Sequence, residues 1–219
     1  MSTRYIDDTR EILGAAFDGK VSGEYFKVIE AMHVCLVAHH GQYRKHNQVM
    51  YALHPFRVFL FARSVLDIRD PDVLCACLLH DTVEDGGVAL DDLKKQFGER
   101  VAGFVAELTR QPCDDRAQKK QELLQHAREF SNESRTIKAV DRIDNLADAF
   151  VNFGDKKIWE YTSESIELYY ALKAGLRIND LMPCVSDALE YLRCTINETI
   201  LAVRSKRKIP EFDTFTLIS

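Results

Sequence analysis

The sequence predicts an all-α protein folded as a single compact domain. Three observations predict it. Apolar residues recur at helical spacing along most of the chain, β-type alternation of useful length is absent, and there are no internal repeats or low-complexity segments. A chain of 219 residues, 46% hydrophobic, is long enough to bury one good core.

The elements follow in order. Ile6 to Phe17 is a short amphipathic stretch and predicts a lead-in helix. From Ser22, the series Tyr25, Val28, Ile29, Met32, Leu36 and Val37 repeats at helical spacing and carries into Ala38-His39-His40-Gly41-Gln42-Tyr43-Arg44-Lys45. His46-Asn47-Gln48 interrupts the pattern and predicts a loop with Arg44 and Lys45 at its edge. Leu53-His54-Pro55 opens a helix whose face carries Phe56, Val58, Phe59, Leu60 and Phe61. Asp70 followed by Pro71 reads as an N-cap with proline at the first helical position, and Gly86-Gly87 as a stop, so a helix is predicted from Pro71 to about Glu84. Amphipathic helices follow over Leu90 to Phe97 and Val101 to Leu108, then a polar connection containing Pro112. Further helices are predicted over about Arg116 to Phe130, Ser134 to Val151, Ser163 to Ala174 and Cys184 to Val203, before a short extended tail.

Composition narrows the function. The formal charge is −5, which gives no support to a nucleic-acid or membrane-surface role. The one basic run, Arg204-Ser205-Lys206-Arg207-Lys208, reads as a solvated helix end. The cysteines at 35, 75, 77, 113, 184 and 194 show no Cys-x-x-Cys spacing, and most fall within apolar patterns. That is reduced, core-type usage and predicts a cytosolic protein. No apolar stretch approaches transmembrane length, and the polar N-terminus does not read as a signal peptide. The oligomeric state is left open, a homo-oligomer included.

The densest chemistry lies in Leu79-His80-Asp81-Thr82-Val83-Glu84-Asp85. On a helix reaching Glu84, His80 and Glu84 are i,i+4, as are Asp81 and Asp85, so these groups share one side of the helix end. Three carboxylates there repel one another and the negative end of the helix dipole. A bound cation removes that conflict. A His-Asp pair alone is common, however, and a buried histidine is more often hydrogen-bonded structure than ligand.

Other groups of metal- or phosphate-binding type occur at His54, at Asp141 and at Arg44-Lys45. Asn145 is i+4 from Asp141 and Lys138 is i−3, so both share its side of a helix whose other face is apolar. Each has an ordinary alternative. His54 could cap its helix, Asp141 could pair with Arg142, and Arg44-Lys45 could be exposed loop charge.

Taken together, these segments resemble a known family. His39-His40-Gly41-Gln42-Tyr43-Arg44-Lys45, Tyr51-Ala52-Leu53-His54-Pro55, Leu79 to Asp85, Phe97-Gly98-Glu99-Arg100-Val101 and Ile137 to Leu146 resemble, in order and with similar gaps, the hydrolase half of the RelA/SpoT alarmone enzymes. The resemblance covers about Tyr25 to Leu172. It leaves no length for a synthetase domain, so the chain looks most like the stand-alone small alarmone hydrolases of the Mesh1 type.

The resemblance implies a single HD-type, metal-dependent phosphohydrolase domain over the whole chain. It implies one Mn²⁺ held by His54, His80, Asp81 and Asp141, although ligand softness alone would also admit Zn²⁺ or Fe²⁺. An ion in such a site lowers the pKa of a water molecule and makes it the nucleophile. Glu84 and Asp85 match the acidic pair that positions this water and takes its proton. Arg44 and Lys45 match residues that contact the nucleotide base, and Asn145 one near the nucleoside. Lys138 matches a signature lysine that is either structural or phosphate-binding. The implied reaction removes the 3′-diphosphate from ppGpp-like alarmones. Its rivals are a related phosphohydrolase acting on ppApp, another nucleotide or NADPH, and a non-catalytic helical binding or antitoxin-like module. Two departures stand out. His46-Asn47 replaces the family's serine-glycine, which bears on guanine preference, and Asp144 stands where a histidine usually precedes the signature asparagine.

Overall fold

The computed structural model describes residues 23–44, 48–110, 113–176, 183–206 and 216–218. The expectations for Ile6 to Phe17, Lys45 to Asn47, Pro112 and Arg207-Lys208 lie outside the described residues. Within them the chain forms nine helices: α1 Gly23–Ala38, α2 Leu53–Ser64, α3 Pro71–Leu79, α4 Leu90–Phe97, α5 Glu99–Leu108, α6 Arg116–Ala127, α7 Asn132–Asn152, α8 Asp155–Ala174 and α9 Pro183–Lys206. The only β feature among the described residues is an isolated antiparallel bridge, Tyr43 to Met50. None of these helices is long and apolar enough to cross a membrane. All six cysteines are free.

The core is built on α3. Every residue from Val73 to Leu79 is buried, so the helix is apolar on all sides and must be enclosed. It packs against α1, α2, α5 and α7. Its start is fixed as the sequence predicts, with the Asp70 side chain accepting from the Asp72 amide and Pro71 at the first turn.

The end of α3 differs from the expectation. The α-helix stops at Leu79, five residues short of Glu84, and His80 to Asp85 run as turns. Two buried side chains explain the stop. His80 Nδ1 bonds to the Cys77 carbonyl at 2.8 Å, and the Thr82 hydroxyl donates to the Leu79 carbonyl at 2.7 Å. Carbonyls that a further helical turn would have used are taken by side chains instead. The turn then runs against α1: a Cβ on Gly86 would lie 2.7 Å from the Thr82 carbonyl oxygen and 2.8 Å from Ala38 Cβ, so only glycine fits that approach.

α7 is the second axis of the fold and packs on α2, α3, α5, α8 and α9. Ser131 caps it, its side chain accepting from the Ser134 amide. Near its start the buried Arg135 donates to the carbonyls of Ala127, Arg128 and Leu172 at 2.5–2.8 Å. One cation thereby serves the negative C-terminal ends of both α6 and α8. Farther along, α7 presents Asp141, Asp144, Asn145 and Asp148 on one side, toward α2 and the turn after α3.

Candidate metal centre and its pocket

Four side chains converge where α2, α7 and the end of α3 meet. His54 sits in the first turn of α2, His80 is the C-cap of α3, Asp81 follows it, and Asp141 comes from the middle of α7. Asp141 Oδ1 lies 3.1 Å from His54 Nε2 and 3.9 Å from His80 Nε2. Asp81 Oδ2 lies 3.2 Å from His80 Nε2 and 3.6 Å from His54 Nε2. Both imidazoles are buried, at 1% and 2% exposure, and neither Nε2 makes a hydrogen bond.

This arrangement suits a divalent cation. Ligand atoms about 2.1 Å from a common ion lie about 3–3.5 Å from one another, and the spacings here run from 3.1 to 3.9 Å. The other nitrogen of each ring is committed: His80 Nδ1 to the Cys77 carbonyl, and His54 Nδ1 to Asp144 Oδ2 at 2.7 Å. Both Nε2 lone pairs are therefore left facing the carboxylates. The electrostatics agree. Burial opposes a charge on His54, but the carboxylates of Asp141, Asp144 and Asp81 override it and raise its pKa to about 9. Burial likewise opposes the charge on Asp81, and His80 and His54 outweigh it, holding the carboxyl well below its ordinary range. For Asp141 the balance is struck by Lys138 and His54. Nearby acids thus call for positive charge at one buried point.

Two α7 neighbours hold Asp141. Lys138 Nζ bonds to its Oδ2 at 2.8 Å and Asn145 Nδ2 to its Oδ1 at 2.5 Å. Asp141 does not pair with Arg142, whose guanidinium instead lies over the Tyr161 ring. Tyr51, which the sequence reading did not single out, donates its phenol to Asp81 Oδ2 at 2.7 Å and approaches Asp85 Oδ2 at 3.4 Å. Its position three residues before His54, in one turn of chain, was the available signal. Burial and the Asp81 charge push the Tyr51 phenol far above its ordinary pKa, so it remains a donor.

The acidic pair divides. Asp85 stays beside the centre through Tyr51, and burial together with the charges of Asp81 and Glu84 raises its pKa. Glu84 is instead held by Arg110: Nη2 to Oε1 at 2.6 Å, Nε to Oε2 at 3.1 Å, and the backbone amide to Oε2 at 3.3 Å. The conflict among three carboxylates is relieved partly by an arginine, because the early end of α3 turns Glu84 to another side. Nothing in the local sequence points to Arg110, which lies 26 residues farther along.

Arg44 is set beside the centre by the Tyr43–Met50 bridge and by reciprocal backbone bonds, Arg44 N to Val49 O and Tyr51 N to Gln42 O. Its guanidinium bonds to Asn145, Asp148 and Asp144 at 3.1, 2.9 and 3.2 Å and is largely buried rather than free loop charge. Lys45 lies outside the described residues. A cleft of about 560 Å³ opens here, lined by Gln42, Arg44, Tyr51, Asp85, Asn145, Phe153 and Lys157 among others. That volume is in the range of small-molecule sites. On the other side of Asp85, a second opening of about 510 Å³ is lined by Glu84, Arg110 and Lys119.

An enclosed helical scaffold that brings two imidazoles and two carboxylates from separate helices to one buried point defines a class, the His-Asp divalent-metal domains. Residues 31–176 match the model of the HD domain family. A Drosophila melanogaster protein named guanosine-3′,5′-bis(diphosphate) 3′-pyrophosphohydrolase MESH1 is 34% identical over 127 residues, covering 58% of this chain and 71% of its own length. A Xenopus tropicalis protein of the same name is 27% identical over 158 residues, covering 70% and 88%. A solved structure, described as a metazoan ortholog of SpoT that hydrolyzes ppGpp and plays a role in starvation responses, superposes with a TM-score of 0.66 at 26% identity, over 78% of this chain and 96% of that one. The chain belongs to the HD domain family, among its MESH1-type hydrolases.

Proposed function

We propose that this hydrolase removes the 3′-diphosphate from (p)ppGpp-like alarmones, adding one water to give the nucleoside 5′-diphosphate and pyrophosphate, with Mn²⁺ as its cation. The observation that carries the reading is the pair of buried Nε2 atoms on His54 and His80, without hydrogen-bond partners and facing carboxylate oxygens, behind a cleft of about 560 Å³ whose wall includes Tyr51 and Asn145, the residues bonded to Asp81 and Asp141. The names of the relatives support the substrate class.

His54, His80, Asp81 and Asp141 hold the cation, and when bound it supplies Lewis acidity, acidifying water and offsetting charge on phosphoryl oxygens. Lys138 and Asn145 keep Asp141 in place, and Tyr51 keeps Asp81 in place. Asp85 takes the proton of the attacking water, since it lies next to the ligands and its environment raises its proton affinity. Glu84 acts through Arg110 to set the charge on the far side of Asp85. Arg44, fixed by three acceptors, offers a planar cation in the cleft wall for the nucleobase.

The test is product analysis. Incubated with ppGpp and Mn²⁺, the protein should yield GDP and pyrophosphate in equal amounts, and EDTA should stop the reaction. Orthophosphate as the product, or NADPH turnover exceeding that of ppGpp, overturns this reading.

A further inference from the structure

Asp144 immediately precedes Asn145 on α7, and its side chain is a junction. Oδ2 accepts from His54 Nδ1 at 2.7 Å, from Arg57 Nη2 at 2.9 Å and from Arg44 Nη2 at 3.2 Å. Oδ1 accepts from Arg57 Nε at 2.5 Å. The side chain is 13% exposed and the Arg44 side chain 10%, so these bonds form largely out of water, where charge-assisted contacts are strong. Every partner is a donor. The residue sits one turn from Asp141 on α7 and immediately before Asn145, so a single helix face carries a proposed ligand and the group that braces another.

We propose that Asp144 is a positioning residue for both halves of the site, fixing the His54 ring for the metal and the Arg44 guanidinium for the nucleotide. By accepting the Nδ1 proton it sets the tautomer that turns the His54 Nε2 lone pair to the centre, and it makes that nitrogen more basic. By accepting from Arg44 it holds the guanidinium against α7, together with Asn145 and Asp148. A histidine in its place could not do this, because a neutral imidazole offers one acceptor and these contacts need at least three. Arg57, half-exposed, grips both oxygens of Asp144 with its guanidinium and so fixes the carboxylate plane.

The inference rests on His54 being a metal ligand, and the experiment separates the two claims. Mn²⁺ alone is titrated calorimetrically into the parent, Asp144→Asn, Asp148→Asn and His54→Ala proteins, with melting temperatures recorded in EDTA. Asparagine keeps the shape but presents one amide edge to donors, so Mn²⁺ affinity should fall ten- to a hundredfold, the usual effect of losing a partner of a metal-bound histidine. Asp148→Asn removes a carboxylate from Arg44 without touching His54 and should keep parental Mn²⁺ affinity. With substrate, Asp144→Asn should also raise KM by more than kcat falls at saturating Mn²⁺. Asp144→Glu keeps the charge for Arg57, and with it the fold, while moving the oxygens by one methylene, so it should weaken Mn²⁺ binding if Asp144→Asn does not fold. Parental Mn²⁺ affinity in Asp144→Asn, or in Asp144→Glu where only that variant folds, would make Asp144 a plain salt-bridge node and overturn the proposal. Parental affinity in His54→Ala would instead overturn the ligand assignment on which it stands.

Discussion

A carboxylate at the edge of a metal site can be a ligand, a base or a counter-charge, and its nearest partner decides which. Asp85 has a phenol and a charged aspartate beside it, while Glu84 has a guanidinium fork. Asp85→Asn is therefore expected to lower kcat on ppGpp by about 10²–10⁴, the range for a lost general base, whereas Glu84→Gln should lower it by less than about tenfold. Steady-state kinetics at saturating Mn²⁺ checks both, and the reverse order would move the base to Glu84. The residue types were legible in the sequence, since His80, Asp81, Glu84 and Asp85 crowd one short stretch. Their directions were not. Whether Glu84 faces the centre or Arg110 depends on where the helix ends, and that depends on two side-chain hydrogen bonds to carbonyls. His54, Asp141, Lys138 and Asn145 were easier to place, because three of them follow helical spacing on α7 and the fourth begins α2.

At the scale of the element, the turn that closes α3 carries His80 and Asp81 into place. Thr82→Val keeps the shape of the buried side chain and removes its hydroxyl, leaving the Leu79 carbonyl without that partner. The carbonyl keeps the Thr82 amide at 3.0 Å, so the expected cost in urea unfolding is about 0.5–1.5 kcal/mol, the worth of one hydrogen bond. An unchanged midpoint would mean the end of α3 is set by something other than Thr82. The Arg44 loop poses the converse case, where anchoring is visible but selection is not. Arg44 is held edge-on by three acceptors, and a planar cation stacks on any purine alike. Strong selection needs groups left unpaired by the wrong base, and those must come from the segment where His46-Asn47 replaces serine-glycine. Competition assays should find kcat/KM for ppGpp and ppApp within about tenfold, or less than about 1.4 kcal/mol. A guanine preference above a hundredfold that survives His46→Ser would sink this expectation.

At the scale of the whole molecule, the site joins parts of the chain that are far apart in sequence, and this was the least legible feature. Helical periodicity marks the helices that bury an apolar stripe, and a continuous apolar run marks α3, but neither reports which polar groups meet across them. Arg135 reaching the ends of α6 and α8, Arg57 meeting Asp144 and Arg110 meeting Glu84 are all products of packing. The proposed metal ligands are the same kind of contact, since His54 comes from α2, His80 and Asp81 from the end of α3, and Asp141 from α7. An ion bound there would tie three helices of the core together and offset buried acids that otherwise rely on Lys138 and the two imidazoles. Metal should therefore govern global stability as well as turnover. At about 100 times its dissociation constant, an ion that binds only the folded state adds about 2.7 kcal/mol. For a domain of this size, that corresponds to a rise in Tm of about 5–10 °C over the EDTA-treated protein. Differential scanning calorimetry of the parent and of His80→Ala provides the check. The variant should show no Mn²⁺-dependent rise, because one of the two buried Nε2 donors is gone and the remaining ligands cannot enclose the ion. A rise of parental size in His80→Ala would mean that the stabilising ion binds elsewhere, and would leave His80 as a capping residue of α3 through its bond to the Cys77 carbonyl.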